Sequence, residues 1–233
     1  MRRRFRPAPR APIFNAAASA GYDAETVGKF LGLAVGGSNA AIEAMLAAHG
    51  PGLVDVRDVA GRTPLICAAE TGHSGAIAVL IRNGAEIDAR THEGKTALMA
   101  AAYKGFKTVA EMLLDRGAGK DLTDLDGRSV LQHAATHRDN TNQRYPMPHR
   151  KKQTLSLLLD RGARTDIADN KGHTPESWAR RWGYDNVGDV IADEAARRKE
   201  AHDRHISVFT DGLPDDITVI RLRLRHRHGY WRG

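Results

Sequence analysis

The 233-residue sequence predicts an all-α fold built from repeated helix–turn–helix units. Three observations predict it. Gly61, Gly94 and Gly127 recur every 33 residues, Thr63, Thr96 and Ser129 keep the same step, and Gly84 and Gly117 repeat it once more. Markers that agree on one period are the signature of a solenoid, in which each unit buries its apolar face only against its neighbours.

Within one unit each residue type has a physical reason for its place. Thr63 caps a helix N-terminus, and Pro64 takes the first helical position, where a missing N–H costs nothing. Leu65, Ala68 and Ala69 fall on one face of that helix, and the small alanines let neighbouring helices approach closely. Gly72 ends the helix in a left-handed turn. Ile77, Leu80 and Ile81 form the apolar stripe of a second helix, which Gly84 ends in the same way. A polar, turn-rich segment leads to the next Gly.

The second unit reads Gly94-Lys95-Thr96-Ala97-Leu98-Met99-Ala100-Ala101-Ala102-Tyr103-Lys104-Gly105, and the third begins Gly127-Arg128-Ser129-Val130-Leu131-Gln132-His133-Ala134-Ala135. Degenerate units flank them. Gly172-His173-Thr174-Pro175-Glu176-Ser177-Trp178-Ala179 starts like a repeat, but Glu176 replaces the Leu and Arg180 the second Ala, as suits a terminal cap with one solvated side. Phe30, Leu33, Ala34, Gly37, Ile42, Met45 and Leu46 align as an N-terminal cap without the Thr-Pro pair. Motif and period together closely resemble the ankyrin repeat, a turn plus two antiparallel helices with a Thr-Pro-Leu-His-x-Ala-Ala-like signature. The resemblance implies an all-α ankyrin-repeat solenoid of about five units, the terminal ones degenerate.

The expected organisation is a basic arm over residues 1–26, a repeat domain over 27–192, and a charged helix with an Arg-rich tail over 193–233. The spacing from Gly127 to Gly172 is 45 residues, 12 beyond the period, which places an insertion loop at 138–152. It carries Tyr145, Arg150, Lys151 and Lys152. Two readings stand: a contact loop meeting an acidic partner, or a surface insertion whose basic end extends the following helix into solvent.

Charge is uneven. Residues 27–200 hold 24 basic and 22 acidic side chains, so most of the net +7 lies in the ends. Residues 1–10 hold five arginines and no acid, and the stretch from Met1 to Ala20, rich in Arg, Ala and Pro, suits a plain arm, an organelle transit peptide or an export signal. Asp193 to Arg204 reads as a charged helix with i,i+4 pairs of Asp193 with Arg197 and Glu194 with Arg198. Ile206 to Thr210 and Ile217 to Ile220 read as short β-type runs joined by a turn, a β-hairpin. Beyond, Arg221, Arg223 and Arg225 alternate with Ile220, Leu222 and Leu224, so a strand would set three arginines on one face. That stripe suits a nucleic-acid or acidic partner, or a soluble edge strand guarded by charge.

Catalytic chemistry finds little support. No Gly-rich phosphate loop or Gly-x-Ser-x-Gly elbow occurs, and no cofactor is expected. His133 and His137 are spaced to share a helix face, but a structural or surface role outweighs a metal there, so no metal site is assigned. Cys67, the single cysteine, reads as a buried inert thiol. A lone cysteine suits a reducing compartment, the cytoplasm, with organelle targeting or export as an effector as alternatives. No stretch is long and apolar enough to span a membrane, and no membrane partner is expected.

The ankyrin resemblance implies a binding surface made of the turns between units and the first helices. Carried onto this sequence it comprises Val59, Arg62, Glu70 and Thr71; His92, Glu93, Lys95, Tyr103 and Lys104; and Leu125, Asp126, Arg128, Thr136 and His137. Tyr103 is the expected anchor, because aromatics dominate interface energetics. Met99 belongs to the core. The mixed charge points to a protein partner for an adaptor, regulator or inhibitor. Alternatives are a nucleic-acid or ribonucleoprotein factor using the arginine-rich ends, and an accessory part of an enzyme or effector.

Overall fold

The computed structural model describes residues 21–136 and 149–210, with side chains through residue 204. The chain divides into two compact units, Met1–Gly119 and Lys120–Gly233.

In the first unit, α1 (Ala24–Gly36) and α2 (Asn39–His49) form a helix pair, followed by a 3-10 turn over Pro51–Asp55. Two further pairs follow: α3 (Pro64–Thr71) with α4 (Ser74–Arg82), and α5 (Ala97–Lys104) with α6 (Lys107–Asp115). The first helices pack in the order α1, α3, α5, and the second helices as α2, α4, α6. Leu65, Ala68, Ala69, Leu98, Ala101 and Ala102 are buried between them, and Met99 is buried with them. The apolar stripe of α4 is buried at Ile77 and Leu80, with Ile81 half-buried.

The expected caps are in place. The Thr63 and Thr96 hydroxyls accept the Ile66 and Met99 N–H groups. Gly72 and Gly105 end their helices in the left-handed conformation. The N-terminal pair lacks Thr-Pro, and Asp23 caps it instead, its Oδ1 accepting the Thr26 N–H at 2.7 Å.

In the second unit, α7 (Val130–Ala135) packs on α8 (His149–Asp160) and α9 (Pro175–Arg181), and α10 (Asp185–Thr210) packs on α9 and α8. Ser129 and Gln132 cap α7 reciprocally. Ile206 to Thr210, expected as a strand, is instead the end of α10. The helix is seeded by buried Val187 and Ile191 and carried on by the Glu194–Arg198 pair, and that context overrides a weak β propensity. Arg197 meets Glu194 at 3.4 Å rather than the expected Asp193. Arg198 also ties α10 to α8, donating to the Leu159 and Ala163 carbonyls at 2.5 and 2.7 Å. The rest of the expected hairpin, residues 1–20 and most of the insertion lie outside the described residues.

Two glycines with positive φ separate local strain from close approach. At Gly61 (φ +74°) a Cβ would stand 2.9 Å from the His92 backbone nitrogen; at Gly84 (φ +89°) it would meet nothing within 4 Å. Gly84→Ala is therefore expected to cost about 1 kcal/mol from backbone strain alone, and Gly61→Ala about 3 kcal/mol, because the next turn must also move. Urea unfolding of the two variants checks the order.

Candidate interaction surface

The helices α3, α5, α7 and α9 are each preceded by a finger turn closed by the same device. In the first unit, the Asp58 N–H donates to the Arg62 carbonyl at 3.1 Å and Thr91 does the same to Lys95 at 2.9 Å. Asp58 Oδ1 accepts the N–H groups of Ala60 and Arg62 at 2.9 and 2.8 Å. At the next finger the Thr91 hydroxyl accepts from Glu93 and Lys95, both at 3.2 Å. The closed turns then link, the His92 N–H donating to the Ala60 carbonyl at 3.0 Å. In the second unit Asp124 accepts from Asp126 and Arg128, and Asp169 from Lys171 and His173. There the Asn170 N–H donates to the Asp126 carbonyl at 2.9 Å.

The fingers leave apolar tips in solvent. Val59 is 79% exposed in the first unit and Leu125 is 69% exposed in the second. Below the tips, charges pair among themselves. Arg62 joins Asp58 at 2.7 Å and Glu70 at 3.1 Å, and Lys95 meets Glu93 at 2.5 Å. His92 is exposed, as is Lys104, whose Nζ lies 5.9 Å from the ring centroid of half-buried Tyr103. The Thr71 hydroxyl is turned back on its helix, donating to the Cys67 carbonyl at 3.0 Å.

In the second unit Arg128 meets Asp126 at 2.6 Å and sets its guanidinium 5.3 Å from the centroid of Trp178. The Trp178 Nε1–H donates to the Thr136 hydroxyl at 2.8 Å, which itself donates to the Gln132 carbonyl at 2.7 Å. Thr136 thus serves the frame of this surface. Trp182 stands edge-on to Trp178 at 6.3 Å and is 41% exposed. The sequence pattern passed over this aromatic pair, although its i,i+4 spacing, from α9 to the residue that caps its end, was visible.

The basic residues at the end of the expected insertion loop are helical, the helix α8 starting at His149, and they separate. Arg150 and Lys152 are exposed on α8, but Lys151 is buried and its ammonium donates to the Thr136 carbonyl. The expectation of an outward Lys151 is corrected: it caps the end of α7. His137, Tyr145, Arg221, Arg223 and Arg225 lie outside the described residues.

His133 is buried, its Nε2 2.9 Å from Asp124 Oδ2. Burial opposes ionisation of Asp124, but hydrogen bonds from His133 and the Arg128 backbone outweigh it and hold its carboxyl below the usual range. Asp58 and Asp169 are lowered in the same way by their turn N–H groups, again against burial. Burial, by contrast, pushes the Cys67 thiol up to about 11, which keeps it protonated and a poor nucleophile at neutral pH.

A carboxyl lowered by folding stabilises the fold above its unfolded value near 3.8, and that contribution disappears as pH falls through the lowered folded value. Asp124→Asn should lose about 2 kcal/mol at pH 7, and its thermal midpoint should fall less than the wild type's between about pH 5 and 2. Thermal melts across that range measure both.

Among the described residues, no helix is long and apolar enough to cross a membrane. A family model described as ankyrin repeats in three copies matches residues 13–124 and 80–145, more than half of the chain. No curated protein matches it. Helix pairs, capped starts, left-handed glycine ends and linked finger turns agree with that match: the chain belongs to the ankyrin-repeat family.

Proposed function

We propose that the protein is an adaptor, regulator or inhibitor that binds a partner protein through its finger tips and first helices. Ankyrin repeats generally serve as protein–protein interaction modules. The observation that carries the reading is a division of labour within the finger turns. The residues that close each turn are consumed by hydrogen bonds, whereas Val59 and Leu125 stand at the tips in solvent. Exposed aliphatic tips on fixed turns give a contact surface whose ordering cost is met on folding.

The charges support a protein partner. Arg62, Lys95 and Arg128 are each matched by an acid of their own unit, so these fingers offer no continuous basic face to a phosphate backbone. Tyr103, with Lys104 beside it, is the anchor proposed for the first unit, and Trp182 is its counterpart in the second. The arginine-rich ends carry the second reading, a nucleic-acid partner.

The test begins with affinity capture of the full chain and mass spectrometry, then measures the captured protein's affinity for variants. Val59→Asp with Tyr103→Ala should weaken binding at least about tenfold, roughly 1.4 kcal/mol, with circular dichroism unchanged. Unaltered affinity would count against this face. A steep loss of binding with salt that vanishes when residues 1–10 and 217–233 are removed would move the reading to phosphate contacts.

A further inference from the structure

We propose that Asn83 is a deamidation site held in check by the fold: it loses ammonia to its own backbone when the end of α4 opens, and the change is irreversible. The inference is independent of what the protein binds.

The sequence singles the position out. Asn83-Gly84 is the one Asn-Gly pair in the 233 residues, and the two following repeats put Arg116 and Arg161 before the matching glycines, Gly117 and Gly162. In such a pair the backbone nitrogen of the glycine attacks the Asn Cγ. Hydroxide takes the N–H proton and a new C–N bond closes a succinimide ring. The side-chain amide nitrogen takes a proton from water and leaves as ammonia. Water then opens either carbonyl of the ring, giving aspartate or isoaspartate. Glycine suits the step because it has no side chain to crowd the attacking nitrogen. At Gly84 even an added Cβ would meet nothing within 4 Å. Asn83 is exposed, so water reaches the amide.

The fold keeps the reacting groups apart. Ring closure needs the Gly84 nitrogen turned to the side of the Asn83 Cβ, whereas a ψ of 13° sets it beside the Asn83 backbone nitrogen. Nucleophile and leaving group are also engaged. The Gly84 N–H donates to the Ile81 carbonyl at 3.0 Å, and Asn83 Nδ2 donates to the Val79 carbonyl at 2.8 Å. Contacts on either side hold the turn. The N–H of buried Ala85 donates to the Leu80 carbonyl at 3.0 Å. Asp55, at the end of the 3-10 turn, accepts the Glu86 N–H at 3.1 Å. Arg82 pairs with Glu43 of α2 at 2.9 Å. The reaction therefore waits on a local opening of this helix end, which needs less free energy than global unfolding.

The product cannot restore the closed turn. A carboxylate has no hydrogen to offer the Val79 carbonyl, and it adds negative charge where α4 already ends in its carbonyl groups. Isoaspartate also lengthens the backbone by a methylene, which shifts the Gly84 and Ala85 N–H groups out of register with Ile81 and Leu80. Each event thus loosens the end of α4 for good.

The experiment ages the full chain in mildly alkaline buffer, folded and in concentrated urea. Peptide mapping by mass spectrometry, with isoaspartyl methyltransferase labelling, reads the exchange of NH for O at Asn83. Deamidation should proceed in urea and run at least about tenfold more slowly in the folded chain. Asp55→Ala, which removes the hold on Glu86, should raise the folded rate and leave the rate in urea unchanged. A second comparison needs no variant: urea below the unfolding transition should speed wild-type deamidation and exchange of the Gly84 amide hydrogen by the same factor. Equal rates in the folded and unfolded chain, no product in urea, an unmoved folded rate in Asp55→Ala, or deamidation that does not follow Gly84 exchange overturns the proposal.

Discussion

The structure depends on a side-chain oxygen that reaches forward and gathers the backbone N–H groups of its own turn. Asp58, Thr91, Asp124 and Asp169 each occupy that post. Buried or half-buried N–H groups left without an acceptor would each cost about 1–3 kcal/mol, so the acceptor determines whether the turn closes. Closure needs positive φ at Gly61, Gly94, Gly127 and Gly172, which no other residue type adopts cheaply. Only a closed turn presents its carbonyl to the following one, as Ala60 does to His92 and Asp126 to Asn170. The helices can then stack at a fixed step.

The same device separates the frame from the surface it displays. Self-paired charges such as Arg62 between Asp58 and Glu70 fix side-chain positions while adding little stability where they are exposed. The buried His133–Asp124 pair is different: it lies out of water and ties α7 to its own turn. The two units also differ in what they present. The first offers Val59, His92 and Tyr103, whereas the second adds an arginine over Trp178 and the open face of Trp182.

Much of the frame was legible in the sequence because local conformational demands select the residue. Thr63, Pro64, Gly72 and Gly84 each have one cheap role, and each plays it. The same period was present but unread in Asp55, Asp88 and Asp121, spaced by 33 residues. Asp55 and Asp88 accept the backbone N–H groups of Glu86 and Gly119, and Asp121 that of Arg164. Other features follow only from tertiary placement. Lys151 is buried because the free carbonyl of Thr136 ends beside it, and a run of basic residues gives no hint of that. Arg128 and Trp178 are 50 residues apart, with an insertion between them that breaks the period. Ile206 to Thr210 stayed helical because α10 was already anchored upstream, a fact that a five-residue window does not contain.

Residue-resolved amide hydrogen exchange on the full chain tests most directly whether the turns are closed frames carrying free tips. The amides of Arg62, Arg128 and His173, which donate to the turn carboxylates, should exchange slowly, while those of Val59 and Leu125 should exchange nearly as fast as an open chain. Equal rates at the two sets, whether both fast or both slow, would contradict the division between frame and tip on which the structure's reading rests.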